Sequence, residues 1–253
     1  FDLKVVGGDV EFDWIVDPTE ANTTCDEGDN LTTCNITSAH NIDDGSVLNY
    51  NNVIIKNGGS LLNNTANCTN ATGFSNHGCG FSLALTGNLT IESGGNITVG
   101  NLSISAEGVD VQSGGLVSVD GLGWMSAKGL GAGDSAEYYS GGGSYGGVGG
   151  LARYANDGPD IYGNASAPVD FGSGGGDDTD FGDGGGFGGG IIFINVTNNF
   201  TIDGNISSNG GPTTRSDSGA GSGGSIWIIS DSFNGGGYLD ASGGEVSDGS
   251  CGD

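Results

Sequence analysis

The chain is poor in residues on which several large classes of protein depend. Its 253 residues include only five lysines and arginines, two histidines and four prolines. Five cations against 31 acidic residues give a net charge of −26, so we predict no nucleic-acid partner, because such a chain can neutralise few phosphates. Anionic membrane surfaces are disfavoured for the same reason. Four prolines and the lack of a Gly-x-y period exclude collagen.

Long apolar runs and helical patterns are also missing. No stretch approaches the roughly 20 apolar residues of a membrane span, so we predict no membrane insertion. No segment has the apolar spacing of an amphipathic helix. The chain begins with Phe1 and shows no signal-peptide pattern, which we interpret as a mature form or a piece of a larger chain.

Glycine is abundant instead, with 55 residues, and part of it belongs to a repeat. The stretch LTIESGGNITV at 89–99 returns twenty residues later as VDVQSGGLVSV at 109–119, and VIIKNGGSLLN at 53–63 is an earlier copy. Each copy is a short alternating strand, a two-glycine corner and a second strand. A fixed repeat of this length predicts stacked coils in which equivalent residues lie on one another.

We therefore predict an all-β fold, namely a right-handed parallel β-helix (β-solenoid) with glycine-rich loop excursions. An antiparallel sandwich is the competing fold, and the fixed twenty-residue offset disfavours it. The predicted inward-facing residues are Leu89, Ile91, Ile97, Val99, Val109, Val111, Val117 and Val119. The predicted short strands are 53–55, 60–62, 81–85, 88–91, 96–99, 101–104, 109–111 and 116–119.

The predicted domain division separates an N-terminal part from the solenoid. Residues 1–45 contain one or two strands and a polar, cysteine-containing segment, 18–45, that we interpret as a loop excursion. Residues 46–253 form the solenoid, with a glycine-rich insertion at about 124–190.

Glycosylation sequons and cysteines indicate the compartment. Thirteen N-x-[S/T] sequons together with an apparent disulfide framework predict an extracellular or cell-surface glycoprotein. Cys25 with Cys34 and Cys68 with Cys79 are the obvious local pairs, although four cysteines allow three connectivities; Cys251 is left unpaired or intermolecular. The predicted glycosylation sites are Asn22, Asn30, Asn35, Asn63, Asn67, Asn70, Asn88, Asn96, Asn101, Asn164, Asn195, Asn199 and Asn205.

Two later blocks carry a resemblance to a known group of proteins. The segments GGGFGGGIIFINVTNNFTIDGNISSNGG and GAGSGGSIWIISDSFNGGGYLDASGG resemble the glycine-rich β-helix repeats of large secreted surface proteins of protists, plants and bacteria. The similarity covers roughly residues 85–245. It implies a parallel β-helix in a surface or fibrous assembly, and it extends more loosely to glycosylated extracellular filaments such as the hair-like appendages of protist flagella.

Candidate chemical sites are few. A polysaccharide hydrolase needs two or three carboxylates on adjacent coils, and a lyase needs acidic residues for calcium and a basic residue in a groove, whereas the cations here are scattered. We also predict no zinc site, since the spacings are not CxxC and His40 and His77 fit plain surface histidines. Asp177, Asp178, Asp180 and Asp183 form a candidate calcium site, although we favour a solvated acidic loop.

Tyrosines also cluster in the insertion. They fit either a sugar-binding or subunit-contact surface, or side chains that pack long loops onto the solenoid wall, and we favour packing. The residues concerned are Tyr138, Tyr139, Tyr145, Tyr154 and Tyr162.

These observations predict a structural role rather than catalysis. The leading hypothesis is a subunit of an extracellular, heavily N-glycosylated filament or cell-surface assembly, whose partners are copies of itself and whose N-linked glycans form the outer coat. An adhesin or carbohydrate-binding β-helix module is the alternative, and a polysaccharide lyase or hydrolase ranks third. We predict no cofactor beyond the candidate calcium.

Overall fold

The computed structural model describes residues 4–6, 9–11, 24–28, 32–64, 78–152, 158–180, 182 and 184–246. In these ranges the chain forms β-strands and no helix, as an all-β fold requires. None of the described residues therefore belongs to a helix long and apolar enough to cross a membrane. A short antiparallel hairpin, formed by β1 (Lys4–Val6) and β2 (Asp9–Glu11), lies outside the main sheets.

Three sheets contain the remaining strands, and their neighbouring strands are parallel, apart from β3. In spatial order, the first sheet contains β19 (Ser232–Asn234), β16 (Asn199–Ile202), β13 (Gly108–Val111), β10 (Asn88–Ile91), β7 (Asn52–Ile55), β4 (Thr33–Ile36) and β3 (Glu27–Gly28). The second contains β20 (Tyr238–Asp240), β17 (Asn205–Ser207), β14 (Leu116–Ser118), β11 (Asn96–Thr98), β8 (Ser60–Asn63) and β5 (Ala39–Ile42). The third contains β18 (Ser225–Ile229), β15 (Ile191–Val196), β12 (Asn101–Ala106), β9 (Gly80–Leu85) and β6 (Val47–Tyr50).

The chain visits the three sheets in turn. Strands β4, β5 and β6 make the first circuit, and the order first, second, third sheet repeats until β19 and β20 begin the sixth. Consecutive strands therefore pair with strands of the neighbouring circuits rather than with each other. This topology is compatible with the predicted β-solenoid.

The twenty-residue repeat is the offset between two such circuits. Leu89 pairs in register with Val109, and Ile97 pairs with Val117. All eight residues predicted to face inward are at most 3% exposed, which confirms the predicted stacking. Period-two alternation therefore sends one apolar face of every strand into a shared core.

The two-glycine corners have a specific conformational reason. Gly94 and Gly114, the first glycines of two successive corners, have φ of +81° and +85°, where side chains are rarely tolerated. The N–H of Gly94 donates to the carbonyl of Gly114 over 2.9 Å, so the hydrogen-bond ladder continues through the corner.

The interpretation of residues 18–45 as a loop excursion is wrong. They include β4 and β5, which pair in parallel with β7 and β8, and the predicted boundary at 45 falls inside the first circuit. Cys34 and Ile36 are 0% and 1% exposed on β4. The alternation is short, because β5 adds only one buried apolar residue, Ile42.

The insertion is held together by a different pattern. Its described part between β14 and β15 forms no strand, yet it is densely hydrogen-bonded. Gly172 and Gly175 donate to the carbonyls of Gly189 and Gly186, both over 2.9 Å, while the intervening Gly174 donates to a different segment. Contacts that return every third residue have the periodicity of a polyproline-II helix, which has three residues per turn. We call residues 172–176, 184–190, 208–211 and 219–224 the glycine layer.

Glycine is required here because the backbones approach each other closely. A Cβ atom placed on Gly174, Gly188 or Gly219 would lie 1.8 Å from a backbone oxygen of a neighbouring segment. Gly146 and Gly147, in contrast, have nothing within 4 Å of that position. The glycine layer thus packs backbone against backbone beside the three sheets.

Candidate functional site

The last described circuit leaves one end of the sheets open. Strands β18, β19 and β20 are each the end strand of their sheet, and no described strand pairs with their outer edges. Unpaired strand edges are templates for pairing with another chain. Exposed apolar residues accompany these edges: Ile229, Phe233, Tyr238 and Leu239 are 42%, 52%, 73% and 46% exposed.

Comparison with the preceding circuit shows why these side chains are exposed. Phe233 stacks on Phe200 with ring centroids 5.2 Å apart, and Leu239 pairs in register with Ile206. Phe200 and Ile206 are both 0% exposed because the sixth circuit covers them. Phe233 and Leu239 occupy the same inward-facing positions with no described circuit above them. We call β18, β19 and β20 the open end.

The opposite end is covered in its first sheet. Strand β3 pairs antiparallel with Cys34 and Asn35 on β4. The predicted disulfide between Cys25 and Cys34 is present, with Cα atoms 5.2 Å apart, and it ties this segment to the core. Strands β5 and β6 remain the end strands of the second and third sheets.

A cluster that resembles a catalytic triad lies at this covered end. Asp26 Oδ1 contacts Ser38 Oγ at 2.8 Å and His40 Nε2 at 3.0 Å, and the two latter atoms are 3.3 Å apart. A proton relay requires the imidazole to use one nitrogen for the serine and the other for the carboxylate. His40 uses Nε2 for both, so this arrangement is not a relay.

The cluster instead fixes the chain around β4. Burial alone would raise the pKa of Asp26, but hydrogen bonds from the Thr37 N–H, the Ser38 hydroxyl, His40 and the Ser38 N–H lower that pKa well below its usual range. Asp26 is therefore a fixed anion at neutral pH. This cluster was not recognisable in the sequence. Ser38 and His40 lie 12 and 14 positions after Asp26, and this spacing belongs to no recognisable pattern.

The acidic loop does not gather its carboxylates in the described part of the chain. Asp177 Oδ1 accepts hydrogen bonds from the N–H groups of Gly184 and Gly185, and Asp178 Oδ1 accepts one from Asp180. Asp183 lies outside the described residues. Among those described, no three acidic, histidine or cysteine side chains converge as metal ligands would. The described carboxylates of Asp177 and Asp178 therefore stabilise turns by accepting hydrogen bonds from backbone N–H groups.

Two of the clustered tyrosines are anchors. The rings of Tyr145 and Tyr162 lie 4.9 Å apart, and the Tyr145 hydroxyl is 2.6 Å from Ser225 Oγ on β18. The Tyr162 hydroxyl donates to the carbonyl of Phe171 and contacts Ser173 Oγ at 2.8 Å. Burial raises the pKa of Tyr162 to about 12, against a smaller lowering by Ser173. Tyr145 thus joins the insertion to β18, and Tyr162 joins two segments of the insertion, one of them in the glycine layer.

The other tyrosines differ from these anchors. Tyr138 and Tyr139 are each 44% exposed. Tyr154 lies outside the described residues. The insertion therefore presents aromatic surface to solvent as well as packing it.

A cleft of about 930 Å³ lies between the insertion and the chain that leads to and follows the open end. Its floor is largely glycine, including Gly221, Gly223 and Gly243. Exposed apolar side chains stand around it, with Val148, Leu151 and Ile161 at 66%, 57% and 59%. Its volume falls in the range of ligand-binding pockets.

Most described sequons lie on the outer surface. Six of their asparagines are exposed and three are half-buried, as outward positions on alternating strands require. Occupancy stays a prediction. The exposed ones are Asn88, Asn101, Asn164, Asn195, Asn199 and Asn205, and the half-buried ones are Asn35, Asn63 and Asn96. Outside the described residues lie Asn22, Asn30, Asn67 and Asn70.

The remaining cysteines are only partly described. Cys79 is disulfide-bonded and 1% exposed. Its predicted partner Cys68, together with Cys251, lies outside the described residues, as does His77.

Comparison of the chain with protein-family models, with curated proteins and with solved structures finds no match. The open end, the cleft and the outer surface are the features from which a function can be inferred.

Proposed function

We propose that the chain is a structural subunit of an extracellular, N-glycosylated filament or cell-surface assembly, in which right-handed β-solenoids stack end to end. The observation that supports this proposal is the open end, where three parallel sheets stop at unpaired edges beside apolar core residues. Open head-to-tail contacts between copies generate filaments. The Cys25–Cys34 disulfide is compatible with an oxidising, extracellular compartment.

The occupant we assign to the open end is the first circuit of a second copy. The edge of β5 lacks a described neighbour, so β20 of one copy can pair with β5 of the next. Strand β3 occupies the matching edge of the first sheet, and the third sheet ends one circuit earlier, at β18, so the junction runs through the second sheet. Burying Leu239 there stabilises the contact by about 1–2 kcal/mol.

Charge opposes this contact at low ionic strength. Asp26, Asp43 and Asp44 are exposed near the first circuit, and Asp231 and Asp240 are exposed at the open end. The two surfaces therefore repel each other, and salt screens such repulsion over about 8–10 Å at physiological strength. We expect assembly to increase from low salt to physiological salt.

Sedimentation velocity of the purified glycoprotein tests the proposal. We expect large, concentration-dependent species that Leu239→Asp abolishes, because the substitution places a charge in the junction. Leu130→Asp is the matched control, since Leu130 is an exposed residue of the insertion, 75% accessible, and its substitution should leave assembly unchanged. A wild-type protein that remains monomeric in physiological salt would contradict the proposal, as would equal assembly by both variants.

The cleft favours a second candidate function, a carbohydrate-binding module or adhesin. Its apolar rim and glycine floor suit a neutral sugar better than an anion. Saturable binding of a neutral oligosaccharide to monomeric protein, lost on Ile161→Asp and retained on Leu130→Asp, would favour this candidate over the filament.

A further inference from the structure

One wall of the cleft carries a glycosylation sequon. Asn164 lines the cleft and is exposed, and it begins the sequence Asn164–Ala165–Ser166. The other exposed sequon asparagines lie at or next to the starts of strands, or near a strand's end, away from the residues that line this cavity. Asn164 is therefore a sequon with a ready-made cavity beside it.

The position of Asn164 is fixed by its neighbours. Tyr162 is held by its hydroxyl contact to Ser173 and by its ring contact to Tyr145. Gly163 has φ of +87°, and a Cβ placed on it would lie 2.4 Å from the Tyr145 ring. The chain consequently leaves this anchor in one direction, and Asn164 is presented at the rim rather than on a free loop tip.

The asparagine side chain is also oriented. Its Oδ1 atom accepts a hydrogen bond of 2.9 Å from the N–H of Ser166, and its carbonyl accepts one of 3.1 Å from Ala167. This turn uses the amide oxygen and leaves the attachment atom of an N-linked glycan, Nδ2, outside the hydrogen bond.

The cleft surface suits the first sugars of such a glycan. Among the lining residues that the structure describes there is no lysine or arginine, and Asp217 is the one carboxylate, so an anionic occupant is disfavoured. Val148, Leu151 and Ile161 would leave an unusual apolar patch in solvent if nothing covered them. A sugar ring has an apolar face for these side chains and hydroxyls for the backbone groups of the glycine floor.

We propose that the first sugars of an N-linked glycan on Asn164 occupy this cleft and pack against its apolar rim. The glycan is then a part of the folded insertion, in contrast to glycans that extend freely from the outer sheet faces. The proposal depends on the N-glycosylation included in the proposed function, but not on filament formation.

Site-resolved deglycosylation of the native glycoprotein tests this assignment. Peptide mass spectrometry follows release of each glycan by an endoglycosidase without denaturation, with Asn195 and Asn205 as exposed controls. We expect release from Asn164 to be at least about tenfold slower, which corresponds to about 1.4 kcal/mol of protection. An unglycosylated Asn164, or release at the control rate, would overturn the proposal.

A variant pair provides a second readout. Asn164→Gln should increase the binding of an apolar fluorescent dye, because the rim loses its cover, whereas Asn195→Gln should not. Equal dye binding by the two variants would overturn the proposal. Electron microscopy of the wild type separates the two hypotheses: fibres whose Asn164 glycan is released at the control rate leave the structural role intact, and slow release from monomeric protein contradicts only the filament.

Discussion

Between residues 52 and 119 the strands bury branched apolar side chains at every second position, whereas between 172 and 224 most buried positions outside the strands are glycine or serine. The first region excludes water with side chains, and its hydrogen bonds run between strands in register. The second has almost no side chains to bury, and its hydrogen bonds return every third residue. The same chain thus packs apolar side chains against each other in the sheets and backbone against backbone in the glycine layer.

The contrast predicts different sensitivities to substitution. An apolar core loses stability when a side chain is shortened, because a cavity remains. A glycine layer loses stability when a side chain is added, because the neighbouring backbone has no room. Truncation and enlargement therefore separate the two regions.

The largest effect is expected in the sheet core. Ile194→Ala on β15 removes a fully buried side chain, 0% exposed, and should lower the free energy of unfolding by about 2–5 kcal/mol. Ser105→Ala is the control, because Ser105 is exposed on the adjacent strand, β12, and should change stability by less than about 0.5 kcal/mol. Urea unfolding followed by circular dichroism measures both, and equal effects would contradict the assigned core.

Enlargement of one glycine tests the layer. Gly219→Ala places a Cβ 1.8 Å from the Gly141 oxygen and should destabilise the protein by about 1–3 kcal/mol. The matched control is Gly147→Ala, with nothing within 4 Å of the new atom, which should be neutral or slightly stabilising. Hydrogen exchange should localise the Gly219→Ala effect to the glycine layer and the insertion segment at Gly141, and uniform loss of protection across the sheets would contradict independent packing.

Alkaline pH should weaken the attachment of the Tyr162 segment to the glycine layer at Ser173. The folded pKa of Tyr162, about 12, exceeds its ordinary value of 10.0, so its contribution to stability is complete below pH 10 and is lost as pH rises through about 12. The difference in tyrosinate absorbance between wild type and Tyr162→Phe should titrate near pH 12. Titration of that difference near pH 10 would show that Tyr162 is not buried.

The smallest effect is expected at the covered end. The folded pKa of Asp26 is lowered, so its contribution is present above the ordinary value of 3.8 and is lost as pH falls below it. Asp26→Asn should lower Tm at neutral pH by roughly 1–3 °C, and the difference should shrink in acid. Glu137→Gln is the exposed control. A difference that persists unchanged at pH 2 would contradict a role for the carboxylate charge.

The sheet core was predictable from the sequence because side-chain pattern defines it. Alternation around the two-glycine corners located strands β7 to β14, and the twenty-residue offset located their stacking partners. Strands β4 and β5 were missed because they contain few apolar residues: Cys34 was interpreted only as a disulfide residue, and β5 buries Ile42 alone.

The glycine layer and the open end were less accessible to such reasoning. Glycine has no side chain, so the spacing of glycines does not indicate which backbone groups they contact. The threefold pattern is visible only in the hydrogen bonds. Phe233 occupies the position equivalent to Phe200, 33 residues later, yet one is 52% exposed and the other 0%. The exposed fraction of such a residue depends on whether a further circuit packs on it. The local sequence pattern does not indicate whether one does.

Electron microscopy of the purified glycoprotein in physiological salt tests the central claim most directly. The second sheet has six described strands about 4.8 Å apart, so pairing of β20 with β5 of the next copy gives an axial repeat of about 29 Å for one subunit. We expect fibres with that repeat from the wild type and no fibres from Leu239→Asp. Dispersed single particles, or closed pairs of copies that do not extend, would contradict end-to-end stacking.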